Sequence, residues 1–312
     1  MNSQKYKASL VKYGLITTAI GGYLFTFDIP LLRLSEGEKG TLIIARGVLL
    51  FVSITVAWLI MRRRSAVKLP YIAGWAGAAV VITNMIANIS YISALTESNA
   101  ANVVFILALV PVLTAVFSRV FINEYIHPFT WLATLMAVVG VSIIVGDSLS
   151  LGRGLGDFLA LVCAICTAAA FTIIRASGKN VATSLALGSL LSAILAFVYL
   201  TYLSDTPFSM AGLGKTAGYG MPSWFWIALN GLIIVPFSSS LIANGPRFLP
   251  SADVSMFFLL ETILTPIWIF MLFGEQPTKQ VLIGGAIVIS TLVVHSIWRL
   301  QQTLTDDGRE RA

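Results

Sequence analysis

Residues 100–124 read AANVVFILALVPVLTAVFSRVFINE, and residues 251–275 read SADVSMFFLLETILTPIWIFMLFGE. Each is an apolar run closed by a glutamate. Each is long enough, as helix, to cross a hydrocarbon layer about 30 Å thick, which takes roughly 20 residues. Backbone polar groups find no water in lipid, so such a run satisfies its hydrogen bonds internally as a helix. Shifting the chain by 151 residues lays Glu124 on Glu275, Thr114 on Thr265 and Ala101 on Ala252. The two runs are therefore corresponding parts of a duplicated chain, with matching apolar helices after both glutamates.

The same pattern extends outward from them. Apolar stretches at 11–32, 40–60, 70–95, 100–122, 129–147, 156–175, 181–203, 223–244, 251–273 and 278–299 fill the chain. Segment 204–222, with Pro207, Gly212, Gly214, Gly218, Gly220 and Pro222, reads as a loop. The expected architecture is an all-α integral membrane protein with ten transmembrane helices. They form two five-helix repeats, residues 1–150 and 151–312, the second ending in a short cytoplasmic tail. An odd number of helices per repeat turns the second half over, giving an inverted-topology repeat around a midplane cavity.

Composition agrees. The chain is 57% hydrophobic and 11% charged, against about 25% charged for a soluble domain. The net charge of +6 orients helices here rather than binding nucleic acid. With the N-terminus inside, fourteen of the twenty Lys and Arg fall on the cytoplasmic side, the bias that cytoplasmic loops carry. Both termini are thus expected in the cytoplasm, with the protein in the cytoplasmic (inner) membrane. Lys5, Lys7 and Lys12 precede the first apolar run with no small-residue cleavage site, so that run reads as a retained helix rather than a signal peptide. Trp58, Trp75, Trp131, Trp224, Trp226 and Trp298 lie near span ends, where indole suits the headgroup layer; Trp268 sits deeper.

These features resemble the drug/metabolite transporter superfamily, EamA type. The resemblance covers nearly the whole chain and rests on the five-plus-five duplication, on 100–124 with Pro111, and on 251–275 with Glu261. Many members carry Glu-Pro in the second of these segments; here Glu261 is followed by Thr262, and the proline is displaced to Pro266. The resemblance implies a secondary exporter of small metabolites, amino acids or toxic compounds. In overall pattern the chain resembles the aromatic amino acid exporters, without a diagnostic motif.

Polar groups at membrane depth are costly and usually face protein or a wet cavity. Asn84, Asn88 and Tyr91 share a helical face. Ser239 falls on Asn88 under the 151-residue shift, with Asn244 further along the same run. Asn102 and Phe105 open the run that holds Pro111. Phe257, Glu261 and Thr265 form a stripe, with Trp268 one turn beyond. Amides, hydroxyls and rings in an apolar pocket suit an amphipathic small molecule, so Asn84, Asn88, Tyr91, Asn102, Phe105, Ser239, Asn244, Phe257, Glu261 and Trp268 are the candidate substrate-binding residues. Such groups also simply bond helices together. Glu261 is either a polar anchor between helices or a proton-coupling site; the anchor is preferred.

Asp28 and Arg46 lie at similar depth on consecutive antiparallel helices and are expected to form a structural ion pair. Asp253 is expected to cap a helix N-terminus, and His295 to pack or meet headgroups. Cys163 and Cys166 read as small packing residues, because no second ligand pair accompanies them. Mid-membrane Pro111, Pro236 and Pro266 predict kinks that open a cavity. Gly140 and Gly146 with Gly284 and Gly285 predict a packing seam that holds the halves, or a dimer, together. Gly21 and Gly22 let the first helix bend or approach substrate.

No paired intramembrane aspartates, H-E-x-x-H, G-x-S-x-G or P-loop occurs, so the chain is not read as an enzyme. His127 and His295 are the only histidines, too few for a metal site, and no cofactor is called for. The expected partners are a small amphipathic substrate and the lipid bilayer, with a homodimer left open. The alternatives are a membrane scaffold or receptor, and an exporter of drugs or other metabolites.

Overall fold

The computed structural model describes residues 3–64, 70–98, 103, 106–145, 154–202, 214–274 and 279–309. Among them it is all-helical, without a strand: α1 (Ser3–Phe25), α2 (Asp28–Ser35), α3 (Lys39–Arg64), α4 (Gly74–Glu97), α5 (Val110–Phe121), α6 (Pro128–Val145), α7 (Gly154–Ser177), α8 (Ala182–Tyr202), α9 (Ser223–Ala228), α10 (Val235–Asn244), α11 (Ser251–Met256), α12 (Leu259–Phe273) and α13 (Lys279–Arg309). Among the described residues, seven stretches are long and apolar enough to cross a membrane: Ser9–Ser35, Gly40–Arg64, Gly74–Glu97, Gly154–Ser177, Ala182–Tyr202, Ser223–Arg247 and Ser251–Phe273. The other three stretches expected to cross are represented by shorter apolar helices, Val110–Phe121, Pro128–Ile143 and Leu282–Trp298. Side chains such as Ile82, Leu135, Ile194 and Val294 are exposed on the outer surface, as a lipid-facing surface requires.

The most extensive helix contacts all join residues before 150 to residues after it: α4 with α7, α3 with α8, α6 with α13, α4 with α8, and α1 with α10. A 151-residue shift maps α3–α8 and α6–α13 onto themselves, and α4–α7 onto α10–α1. The core is thus an interface between halves rather than two separate cores.

Small residues make that interface close. A Cβ on Gly140 of α6 would lie 2.6 Å from Val288 Cγ2 and 2.9 Å from the Gly284 carbonyl oxygen. The expected glycine seam therefore joins the two halves inside one chain. Gly146 lies outside the described residues. Gly140→Val is expected to lower stability by about 1–3 kcal/mol through overpacking, read as a lower thermal-unfolding midpoint in detergent. An unchanged midpoint would mean that the seam yields.

The prolines act differently from simple kinks. Pro111 stands in the first turn of α5, where its missing N–H costs nothing. The chain turns just before it, with Leu109 N–H bonded to the Ile106 carbonyl at 3.0 Å. Pro236 follows a π-helical segment, Leu229–Ile234. A proline at 236 withholds the N–H that would otherwise reach the Leu232 carbonyl, and Ser53 Oγ of α3 donates to that oxygen instead at 2.8 Å. The break in the second-half run is not at Pro266, which lies within α12. It falls at Phe257–Phe258, where the bonds tighten to three-residue steps, such as Leu260 N–H to Phe257 O at 3.2 Å and Glu261 N–H to Phe258 O at 3.1 Å. Corresponding runs in the two halves are therefore interrupted at nearly equivalent positions.

Candidate functional site

A cavity of about 160 Å³ opens between the halves. It draws its walls from α1, α3, α4 and the turn before α5 in the first half. From the second half come α7, α8, α10 and the 257–258 break. Both helix interruptions thus border it, through Leu107, Ala108 and Val110 on one side and Phe258, Leu259 and Glu261 on the other.

One polar cluster is built on α4 and α8. Asn84 Nδ2 donates to the Leu185 carbonyl at 2.7 Å and to Ser189 Oγ at 3.1 Å. Asn88 Nδ2 donates to the Asn84 carbonyl at 2.9 Å and to Ser189 Oγ at 3.2 Å. The close approach depends on Gly188, where a Cβ would fall 2.6 Å from the Val81 carbonyl oxygen and 3.0 Å from Asn84 Cβ. Both asparagines are thus tied to protein through Nδ2, and both line the cavity wall.

A second cluster spans the halves. Tyr91 Oη donates to Glu261 Oε1 at 3.1 Å, and both residues are buried cavity lining. Beside them, Arg46 Nη2 donates to Asp28 Oδ2 at 2.7 Å, with side-chain exposures of 6% and 0%. The expected ion pair is present. Asn230, in the π-helical segment, donates to Asp28 Oδ1 at 2.7 Å, so both carboxylate oxygens are held. Arg46 also lies over the Tyr91 ring, 5.7 Å from its centroid, a cation–π distance. Phe25, Phe171 and Phe258 supply aromatic wall, with Phe258 packed 5.3 Å from Phe25 and 5.5 Å from Phe171 between centroids.

Of the sequence candidates, Asn84, Asn88, Tyr91, Ser239 and Glu261 line this cavity. Asn102 and Phe105 lie outside the described residues. Asn244 lies away from it, at the end of α10, where it donates to the Ser240 carbonyl and accepts from Arg247 Nη1 at 2.9 Å. Phe257 is buried against α1, its carbonyl beside Gly22. The break at 257–258 disrupts the regular spacing that put Phe257 on the face of Glu261, and Phe258 lines the cavity instead. Trp268 stacks on Phe27 at 4.5 Å and donates to Thr26 Oγ1 at 2.9 Å, which ties α12 to the α1–α2 turn.

Ser189, Phe171, Thr83, Thr167 and Arg46 line the cavity without having been marked as substrate-binding. Ser189 was hidden in an apolar run, and Arg46 was assigned to its ion pair alone. Cys163 and Cys166 are free thiols in the cavity wall. Among the described residues no group of His, Cys, Asp and Glu is arranged to hold a metal ion.

Two polar clusters outside the cavity also join residues before 150 to residues after it. Arg175 of α7 pairs with Glu124 at 2.7 Å and reaches the Pro246 carbonyl at 3.2 Å. Asp253, in the first turn of α11, approaches His295 at 3.4 Å, and Thr130 meets the same ring nitrogen at 3.1 Å. His295 is buried and stacked on Phe129, so it packs inside protein rather than against headgroups.

Comparison with known proteins gives the setting. The chain is 27% identical over 202 residues to an uncharacterized transporter of Pseudomonas aeruginosa, covering 64% of this chain and 63% of that protein. It is 23% identical over 218 residues to an uncharacterized transporter of Synechocystis sp., covering 67% of this chain and 61% of that one. The matched stretches thus span less than two thirds of these relatives, and neither name carries a substrate or the aromatic-exporter resemblance. A solved crystal structure of a protein shares the fold at TM-score 0.71 and 16% identity, covering 90% of this chain and 97% of the other. Residues 12–146 match the EamA-like transporter family. The first half of this chain is therefore similar to the EamA-like transporter family, within a multi-pass membrane protein.

Proposed function

We propose that the protein is a secondary transporter that exports small amphipathic metabolites, amino acids including aromatic ones. Transport would proceed by alternating access of two inverted halves around the central cavity, in the inner membrane with both termini cytoplasmic. The observation that carries this reading is the cavity itself. It lies at the interface of the halves, it is bordered by a helix interruption from each, and its apolar and aromatic wall holds a few placed polar groups. Such a wall takes up an apolar body and orients a polar end. The helix contacts that map onto one another under the 151-residue shift support rocking between two related packings.

Reconstitution in liposomes tests it. Saturable movement of Phe, Tyr or Trp, competed within an amino-acid panel and absent from empty liposomes, is expected. No saturable movement of any amino acid would sink the amino-acid assignment.

Glu261 acts as an anchor in this reading, accepting from Tyr91 across the halves. Glu261→Gln keeps an acceptor oxygen for that hydroxyl, so flux is expected to stay within about fivefold of wild type, given that one neutral hydrogen bond is worth about 1 kcal/mol. The response to an imposed pH gradient would stay the same. A variant that still moves substrate but no longer responds to the gradient would make Glu261 the coupling site instead.

A further inference from the structure

The Asp28–Arg46 pair leaves part of the guanidinium unused. Asp28 takes Nη2, and its own second oxygen belongs to Asn230. Arg46 Nε and Nη1 are buried and have no hydrogen-bond partner among the described residues. Arg46 is 5% exposed, yet it is part of the cavity wall. A buried charged donor without a partner is costly to keep, so such a group in a native structure calls for a partner from outside the protein or a functional reason.

Two acceptors that line the same cavity are already committed. Glu261 Oε1 takes the Tyr91 hydroxyl, and the Tyr91 ring itself covers one side of the guanidinium. Ser189 Oγ, which lines the same cavity, takes the two asparagine amides. No acceptor among the described residues takes Nε or Nη1, and the acceptor that best suits a guanidinium is an oxyanion of carboxylate geometry.

We propose that Arg46 is the carboxylate-recognising residue of this cavity, so that the transported molecule is an acid with an apolar body. This rests on the transporter reading above. Asp28 is the positioning residue: it holds one guanidinium nitrogen and leaves the other two to the substrate. The apolar body then lies toward Phe25, Phe171 and Phe258.

The test is calorimetric binding to the purified full chain of four related probes: phenylalanine, 3-phenylpropionate, phenylalaninamide and phenethylamine. Transport of phenylalanine is measured in parallel. The two carboxylates are expected to bind at least about tenfold more tightly than the amide and the amine, the scale of one lost charge-assisted hydrogen bond. A double variant, Asp28→Asn with Arg46→Gln, removes both charges together and so avoids stranding a buried ion. It is expected to bring the four probes within about threefold of each other.

Transport of phenylalanine with equal binding of acid and amide would overturn the carboxylate site and leave the transporter reading standing. A preference for acids that survives in the double variant would overturn the assignment to Arg46. Binding and transport of none of the four would overturn this proposal together with the amphipathic amino-acid reading.

Discussion

Asp28→Ala is expected to be among the most destabilising single substitutions in this protein, by about 3–5 kcal/mol. Arg46 would be left charged and buried beside the Tyr91 ring, and Asn230 would lose its best acceptor. Arg46→Ala should cost a similar amount for the mirror reason. Replacing both partners by Asn and Gln should cost much less than either alanine variant, because removing a buried pair together is often close to neutral. Thermal unfolding of the purified variants in detergent checks the ordering. A double variant less stable than both single ones would mean that the pair contributes net stability rather than only avoiding a stranded charge.

Ala170→Trp is expected to abolish transport, reducing it by at least about tenfold, while the protein still assembles in the membrane. Ala170 lies on α7, buried at the cavity wall next to Phe171. An indole there fills space that the substrate needs, at an overpacking cost of about 1–3 kcal/mol that the cavity itself relieves. Leu161→Trp, on the exposed face of the same helix, is the control: it should express and transport like wild type. Flux through Ala170→Trp at the control's level would show that the cavity is not the transport path.

The membrane class and the helical runs were legible because each rests on composition and period, which survive without knowledge of neighbours. The ion pair between Asp28 and Arg46 was legible for a related reason: two charges in lipid on adjoining antiparallel helices have few other partners. Asn84, Asn88 and Tyr91 shared a face by helical spacing, and one regular helix, α4, kept them together. The same spacing failed for Phe257 because that run is interrupted at 257–258, and a break without a local proline leaves no mark in the residues. Ser189 was missed because a lone serine in an apolar helix looks the same whether it faces lipid, protein or a cavity.

By itself, the sequence determined that this chain is a membrane-embedded helical protein with amides and hydroxyls inside its apolar runs. Hydrophobicity and periodicity are local properties, and each stretch carries them alone. Only the tertiary structure decided which of those polar groups converge, that Asn230 completes the Asp28 pair, and that two Arg46 nitrogens have no hydrogen-bond partner among the described residues. Those outcomes depend on how close two helices come, and a glycine such as Gly188 sets that distance only against the partner it happens to meet.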